Sequence, residues 1–153
     1  MGKIVLKLVL ASICGGAIGF EREIKNRNAG IRTYMTVCLS TTIVMIIAQK
    51  CFFDTMSGDI SRMAAAALQG IGFLGAGLII HKDDKLMGIT TAAILWATAV
   101  IGLAIGYGLY FLGILGTLFM IVIGNVSIKQ KLASKNRKTK QTYQPGNKRM
   151  KTN

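Results

Sequence analysis

Long apolar runs alternate with short charged connectors along this chain. Ile4 to Phe20 is the first run, and Thr33 to Phe53 is the second, with only Lys50 as a charge near its end. Met63 to Ile80 is the third, and from Ile89 to Val126 no charged residue occurs at all. A helix needs about 20 mostly apolar residues to cross the hydrocarbon core of a bilayer, so each of the first three runs predicts one span. The last run is about twice that length and predicts two spans that fold back on each other. Gly106-Tyr107-Gly108 is the predicted hinge, because glycine permits the turn and tyrosine suits the membrane interface. The fold class is therefore all-α, a polytopic membrane helix bundle with five transmembrane helices near 4–20, 33–53, 63–80, 89–106 and 108–126. Residues 1–128 form the transmembrane domain.

Composition supports that picture. Over 153 residues the chain is 52% hydrophobic, and its mean hydropathy of +0.49 exceeds what the interior of a soluble domain this size could hide. The first run follows Lys3 and Lys7 as a signal peptide would, but no small-x-small cleavage pattern ends it and more spans follow, so it reads as a mature helix. Cys14, Cys38 and Cys51 show no C-x-x-C spacing, which fits small apolar packing residues better than a disulfide framework or a zinc site.

Charge then sets orientation. The net charge of +13 is concentrated after the last run, where nine of the 19 Lys and Arg residues lie. With five spans the termini fall on opposite sides. A cytoplasmic C-terminus gathers Arg22, Lys25, Arg27, Arg32, Lys82, Lys85 and the tail inside, 15 residues, against Lys3, Lys7, Lys50 and Arg62 outside. The positive-inside rule therefore places the N-terminus outside and the C-terminus in the cytoplasm. Residues 129–153 have the composition of a disordered basic tail suited to anionic lipid headgroups. Its one aromatic residue, Tyr143, gives little support to a nucleic-acid partner.

Gly70-Ile71-Gly72-Phe73-Leu74-Gly75-Ala76-Gly77 satisfies the spelling of a dinucleotide-binding loop, but it lies inside an apolar span rather than between a strand and a helix. Two membrane readings stand. Gly70, Gly72, Gly75 and Gly77 either let helix backbones approach closely or break the third span so that carbonyls face a cavity. Gly15 and Gly19, like Gly102 and Gly106, repeat the small-xxx-small spacing of helix contacts.

Ionisable groups flank the spans. Glu21, Arg22 and Glu23 close the first and Arg32 opens the second, so a Glu21–Arg32 pair could clamp the two helices. Asp59 and Arg62, spaced i to i+3, can meet at the start of the third span, where Asp59 also suits the helix N-terminus. Thr33, Gln69, Thr90, Thr91 and Thr98 are the polar candidates for interhelical hydrogen bonds or a cavity. His81, beside Lys82, Asp83 and Asp84, belongs to a short loop. No Ser-His-Asp set, metal-ligand cluster or phosphate loop occurs in the required context, which argues against an enzyme and implies no cofactor and no metal.

These strings taken together resemble one family. Gly16-Ala17-Ile18-Gly19-Phe20-Glu21-Arg22-Glu23, Ala29-Gly30-Ile31-Arg32-Thr33, Asp59-Ile60-Ser61-Arg62, the Gly70–Gly77 run and Gly88-Ile89-Thr90-Thr91-Ala92-Ala93 followed by Trp96 are similar to the signature of the MgtC/SapB family of bacterial inner-membrane proteins. The resemblance covers roughly Leu8 to Gly108. It departs at Tyr34, where a histidine is expected, and at Ile60, where a proline is expected, and the chain reads as a short form without the soluble domain of longer members. The resemblance implies a five-span domain in the bacterial plasma membrane and a link to growth in low magnesium and to virulence. The small-residue helix faces beside the absence of buried charge point to contact with another membrane protein or to self-association, and the resemblance implies the F-type ATP synthase as such a partner. The alternative is a small transporter or channel for Mg2+ or another cation. Asp59 would then stand at its outer mouth and Glu21 at its inner one, since magnesium favours carboxylate oxygens.

Overall fold

The computed structural model describes residues 1–52, 59–82 and 85–125. Phe53 and Val126, Asp83 and Asp84, and the tail 129–153 lie outside the described residues, as does the division between domain and tail. Five helices occur among those described: α1 (Gly2–Ile24), α2 (Ile31–Phe52), α3 (Ile60–Gly77), α4 (Ile89–Tyr107) and α5 (Tyr110–Asn125). The strands β1 (Ile80–Lys82) and β2 (Lys85–Met87) form an antiparallel hairpin between α3 and α4, pairing Ile80 with Met87 and His81 with Leu86. The architecture is helical as expected, with that short hairpin added to it, and the third predicted segment ends its helix at Gly77 rather than Ile80.

Helices α1, α2 and α4 are long and apolar enough to cross a membrane. At 1.5 Å per residue α1 extends about 35 Å, whereas α5 extends only about 24 Å, less than the ~30 Å hydrocarbon core. Apolar side chains cover the outside, with Phe73 81% and Phe111 78% exposed. A surface of this kind suits lipid, since water would leave a large unfavourable apolar patch.

The helix ends follow from local chemistry. α1 runs past Phe20 to Ile24 and stops where Asn26 takes a positive φ of 49°. The Arg27 and Asn26 amides donate back to the Arg22 and Glu23 carbonyls, the paired bonds that satisfy a helix C-terminus. α4 ends in the same way at Gly108, φ 110°, so the predicted hinge falls on this one glycine. Asp59 caps α3, accepting from the Ser61 amide at 2.8 Å and the Ser61 hydroxyl at 2.6 Å. Those bonds hold its carboxyl below the usual aspartate range, the side-chain bond contributing most. A lowered folded-state pKa means that the cap stabilises above the ordinary aspartate pKa and is lost as pH falls through the depressed value.

α2 occupies the centre. On one side Gly15 and Gly19 of α1 meet it at backbone distance: a Cβ on Gly15 would lie 2.6 Å from the Tyr34 carbonyl oxygen, and one on Gly19 2.6 Å from the Ile31 Cα. On the other side Gly102 and Gly106 of α4 do the same, a Cβ on Gly106 falling 2.7 Å from the Thr42 carbonyl oxygen. The close approach lets the Thr42 hydroxyl donate to the Gly102 carbonyl at 2.8 Å. Small residues earn van der Waals contact in this way where lipid offers no hydrophobic drive between helices. Ala11, Cys14, Ile18, Tyr34, Cys38, Leu95, Ala99 and Ile105 fill the surrounding core.

The Gly70–Gly77 run behaves differently. α3 continues through it without a break, which overturns the interrupted-helix reading; the apolar face bearing Leu68, Ile71 and Leu78 packs on the core and holds the helix regular. Gly75 alone of the four touches a neighbour, Ala92, while Gly70, Gly72 and Gly77 meet nothing within 4 Å.

This contrast yields a direct test. Gly106→Ala should destabilise the purified protein by about 1–3 kcal/mol through overpacking. Gly72→Ala should be neutral or stabilise by up to about 1 kcal/mol through helix propensity. Thermal unfolding in one detergent measures both, and equal effects would contradict the packing described.

Candidate functional site

The bundle has two chemically distinct ends. At one, the last turn of α1 meets the end of α5. Arg22, 1% exposed, donates to both oxygens of Glu21, through Nε and through Nη2, the latter at 2.7 Å. Lys25 pairs with the same carboxylate, one turn along the helix, and also donates to the Gly124 carbonyl and to Asn125 Oδ1, each at 2.8 Å. Gly124 is needed here, because a Cβ would meet the Arg22 guanidinium and stand 3.0 Å from both Glu21 oxygens. A lysine is well placed at a helix C-terminus, where unpaired carbonyls carry partial negative charge.

The same end holds the start of α2 and of α4. Glu23 accepts from the Ile31 amide at 3.0 Å, and Tyr34, fully buried, donates its hydroxyl to the Thr91 carbonyl at 3.3 Å. Glu23, Gly30, Ile31, Arg32 and Thr33 line an open hollow of about 310 Å3. Arg27 Nε is buried and without a hydrogen-bond partner among the described residues.

At the opposite end Lys7 of α1 reaches the Gly106 carbonyl at 2.6 Å and Gln49 Oε1 at 3.4 Å, while Gln49 Nε2 donates to the Tyr107 carbonyl at 2.9 Å. Asp59 and Arg62 belong to this end too, because the neighbouring Ile60, Met63 and Ala64 pack against Met45, Ala48 and Leu103.

The sequence candidates therefore separate. Glu21 and Arg22 come together, but the expected Glu21–Arg32 clamp does not form: Lys25, four residues on, takes the place given to Arg32, which is exposed beside Thr33. Asp59 and Arg62 share no ion pair among the described residues; Asp59 Oδ1 accepts both bonds from Ser61. Thr91 is buried and lends its carbonyl to Tyr34, whereas Thr90 and Gln69 are exposed. Thr98 bonds within its own helix to the Ile94 carbonyl. The contacts of Lys7, Lys25, Thr42 and Gln49 were not singled out from the sequence. The i to i+4 spacing of Glu21 and Lys25 was the one available signal.

Chemically this end fastens helices. Glu21 is saturated by two cations and presents no free oxygen to a divalent ion, while one oxygen of Glu23 accepts from a backbone amide. Among the described residues no three His, Cys, Asp or Glu side chains gather at metal-binding distance. A second cavity of about 260 Å3, between α4 and α5, is lined by Trp96, Val100, Ala104, Leu112 and Met120 and offers only apolar surface.

Removing the carboxylate exposes the balance of charge. Glu21→Gln leaves the buried Arg22 without its counter-ion and should cost about 3–5 kcal/mol, read as a lower unfolding midpoint in detergent. An unchanged midpoint would mean that the pair is dispensable.

The MgtC family model matches residues 8–134. YhiD of Escherichia coli K12, described as a candidate magnesium transporter, is 37% identical over 94% of this chain and 70% of its own length. SapB of Bacillus subtilis is 38% identical over 78% of this chain and 54% of its own length, and MgtC of Brucella abortus 39% over 74% and 46%. The chain thus spans about half the length of those last two relatives. No solved structure matches it. With a family model covering residues 8–134 and relatives at this level of identity, the chain belongs to the MgtC family of membrane proteins.

Proposed function

We propose that this protein is a non-enzymatic module of the bacterial inner membrane that supports adaptation to low magnesium through helix contacts with other membrane proteins. The observation that carries this reading is the engagement of Glu21, which stands between Arg22 and Lys25 and has no free oxygen for a passing cation. Small-residue packing fills the space around α2, while apolar side chains on the outside stay free for neighbours. The F-type ATP synthase, implied by the family resemblance, is the first partner to seek.

A second reading, a small Mg2+ transporter, is favoured by the description of the Escherichia coli relative. One pair of experiments separates the two. Cross-linking in membranes of cells grown at low magnesium should recover a stoichiometric second membrane protein, and purified protein in liposomes should move Mg2+ no faster than protein-free vesicles. Recovery of the protein alone together with gradient-driven Mg2+ flux would replace the first reading by the second.

For orientation we propose an outside N-terminus and a cytoplasmic C-terminus. The charge distribution supports this, as does the placement of the end of α1 beside the end of α5, with Gly106 and Tyr107 at the other end of the bundle. Single cysteines at Asn28 and Tyr107 should react with a membrane-impermeant maleimide from the cytoplasmic and outer sides respectively. Labelling of both from one side would overturn the arrangement.

A further inference from the structure

α3 has two faces of different character. One, carrying Ile60, Ala64, Leu68, Ile71, Gly75 and Leu78, packs on the bundle. The other carries Arg62, Ala66, Gln69, Phe73 and Ala76, and every one of these is exposed. Their spacing is 4, 3, 4, 3. That is the seam spacing along which two parallel helices wind around each other with a small left-handed crossing, in membranes as in water.

Gln69 on the seam needs a covering surface, and Phe73 has the shape to meet one. Gln69 lies in the middle of α3, and its amide has no hydrogen-bond partner among the described residues. In the five-span arrangement, on which this inference rests, lipid cannot supply that bond, so an uncovered amide there is costly. Phe73 is the most exposed of the large apolar residues on α3, and it stands between Gly70, one turn before, and Gly77, one turn after, both with open space around them. A projecting ring flanked by hollows on its own helix is a shape that fits a copy of itself.

We propose that α3 is the contact between two copies of this chain, which pair about a two-fold axis along the membrane normal with Gln69 against the partner's Gln69. The chemistry selects a second copy because a carboxamide is both donor and acceptor, so two of them satisfy each other across the axis. The partner's Phe73 enters the hollow at Gly70 and Gly77, as a knob enters a hole. Copies inserted with one orientation hold their α3 helices parallel, as the seam requires, and a single polar pair fixes the register. Where α1 and α4 use Gly15, Gly19, Gly102 and Gly106 within the chain, α3 keeps Gly70 and Gly77 for the neighbouring molecule. This pairing is independent of whether the protein restrains a partner or moves an ion.

The test uses full-length protein in native membranes in a C51S background. Oxidative cross-linking should join copies carrying A66C or A76C on the seam and leave G72C and L74C, exposed but off it, monomeric. Energy transfer between labelled copies in lipid bilayers should weaken with Q69L by about threefold to tenfold in the dissociation constant, the range typical of one interhelical polar contact in a membrane. Absence of cross-links, cross-links of equal yield at all four positions, attachment of the seam to a different protein, or unchanged association of Q69L would each overturn the proposal.

Discussion

The structure depends on α2 being approached at backbone distance from both sides. Gly15 and Gly19 on α1 and Gly102 and Gly106 on α4 remove the side chains that would hold three helices apart, and Thr42 then reaches the Gly102 carbonyl directly. In lipid the usual drive to bury apolar surface between helices is absent, so dispersion contact and interhelical hydrogen bonds must substitute for it. Everything peripheral is referenced to this three-helix core: α5 lies on Ile101 and Ile105 of α4 through Gly113 and Gly116, and α3 lies on the same core through its apolar face.

The ends of the bundle are fixed by electrostatics of two kinds. Where α1 and α5 finish together, one carboxylate balances two cations and a lysine satisfies orphan carbonyls; where α4 finishes, Lys7 and Gln49 play the second part without a carboxylate. In both cases the charged group is spent on the protein's own backbone or its own side chains. The outside then carries mainly apolar and small side chains, the surface on which the proposed contacts with other membrane proteins would rest.

Much of this was legible in the sequence, because bilayer thickness converts apolar run length into helix number and glycine spacing into contact faces. Gly15, Gly19, Gly102 and Gly106, marked out by their spacing, stand where the helices approach most closely, and Gly108 stands at the turn. For the Gly70–Gly77 run the sequence leaves close contact and a break both open, since composition counts glycines without showing that Leu68, Ile71 and Leu78 hold the opposite face; the helix is unbroken, and only Gly75 of the four meets a neighbour. α1 outran its apolar segment because Glu21 and Arg22 are compensated by each other and by Lys25, a cancellation invisible to hydropathy. The hairpin at Ile80–Met87 was missed because three-residue strands leave no periodic signal. Contacts such as Lys7 with Gly106 join residues far apart in sequence, and no local pattern announces them.

The central claim, that α2 is held at backbone contact by both neighbours, is most directly tested by solid-state NMR of the labelled protein in lipid bilayers. Through-space correlations should link Thr42 with Gly102 on one side and Gly15 with Cys38 on the other. Strong intrahelical correlations accompanied by silence between both of these pairs would contradict the account.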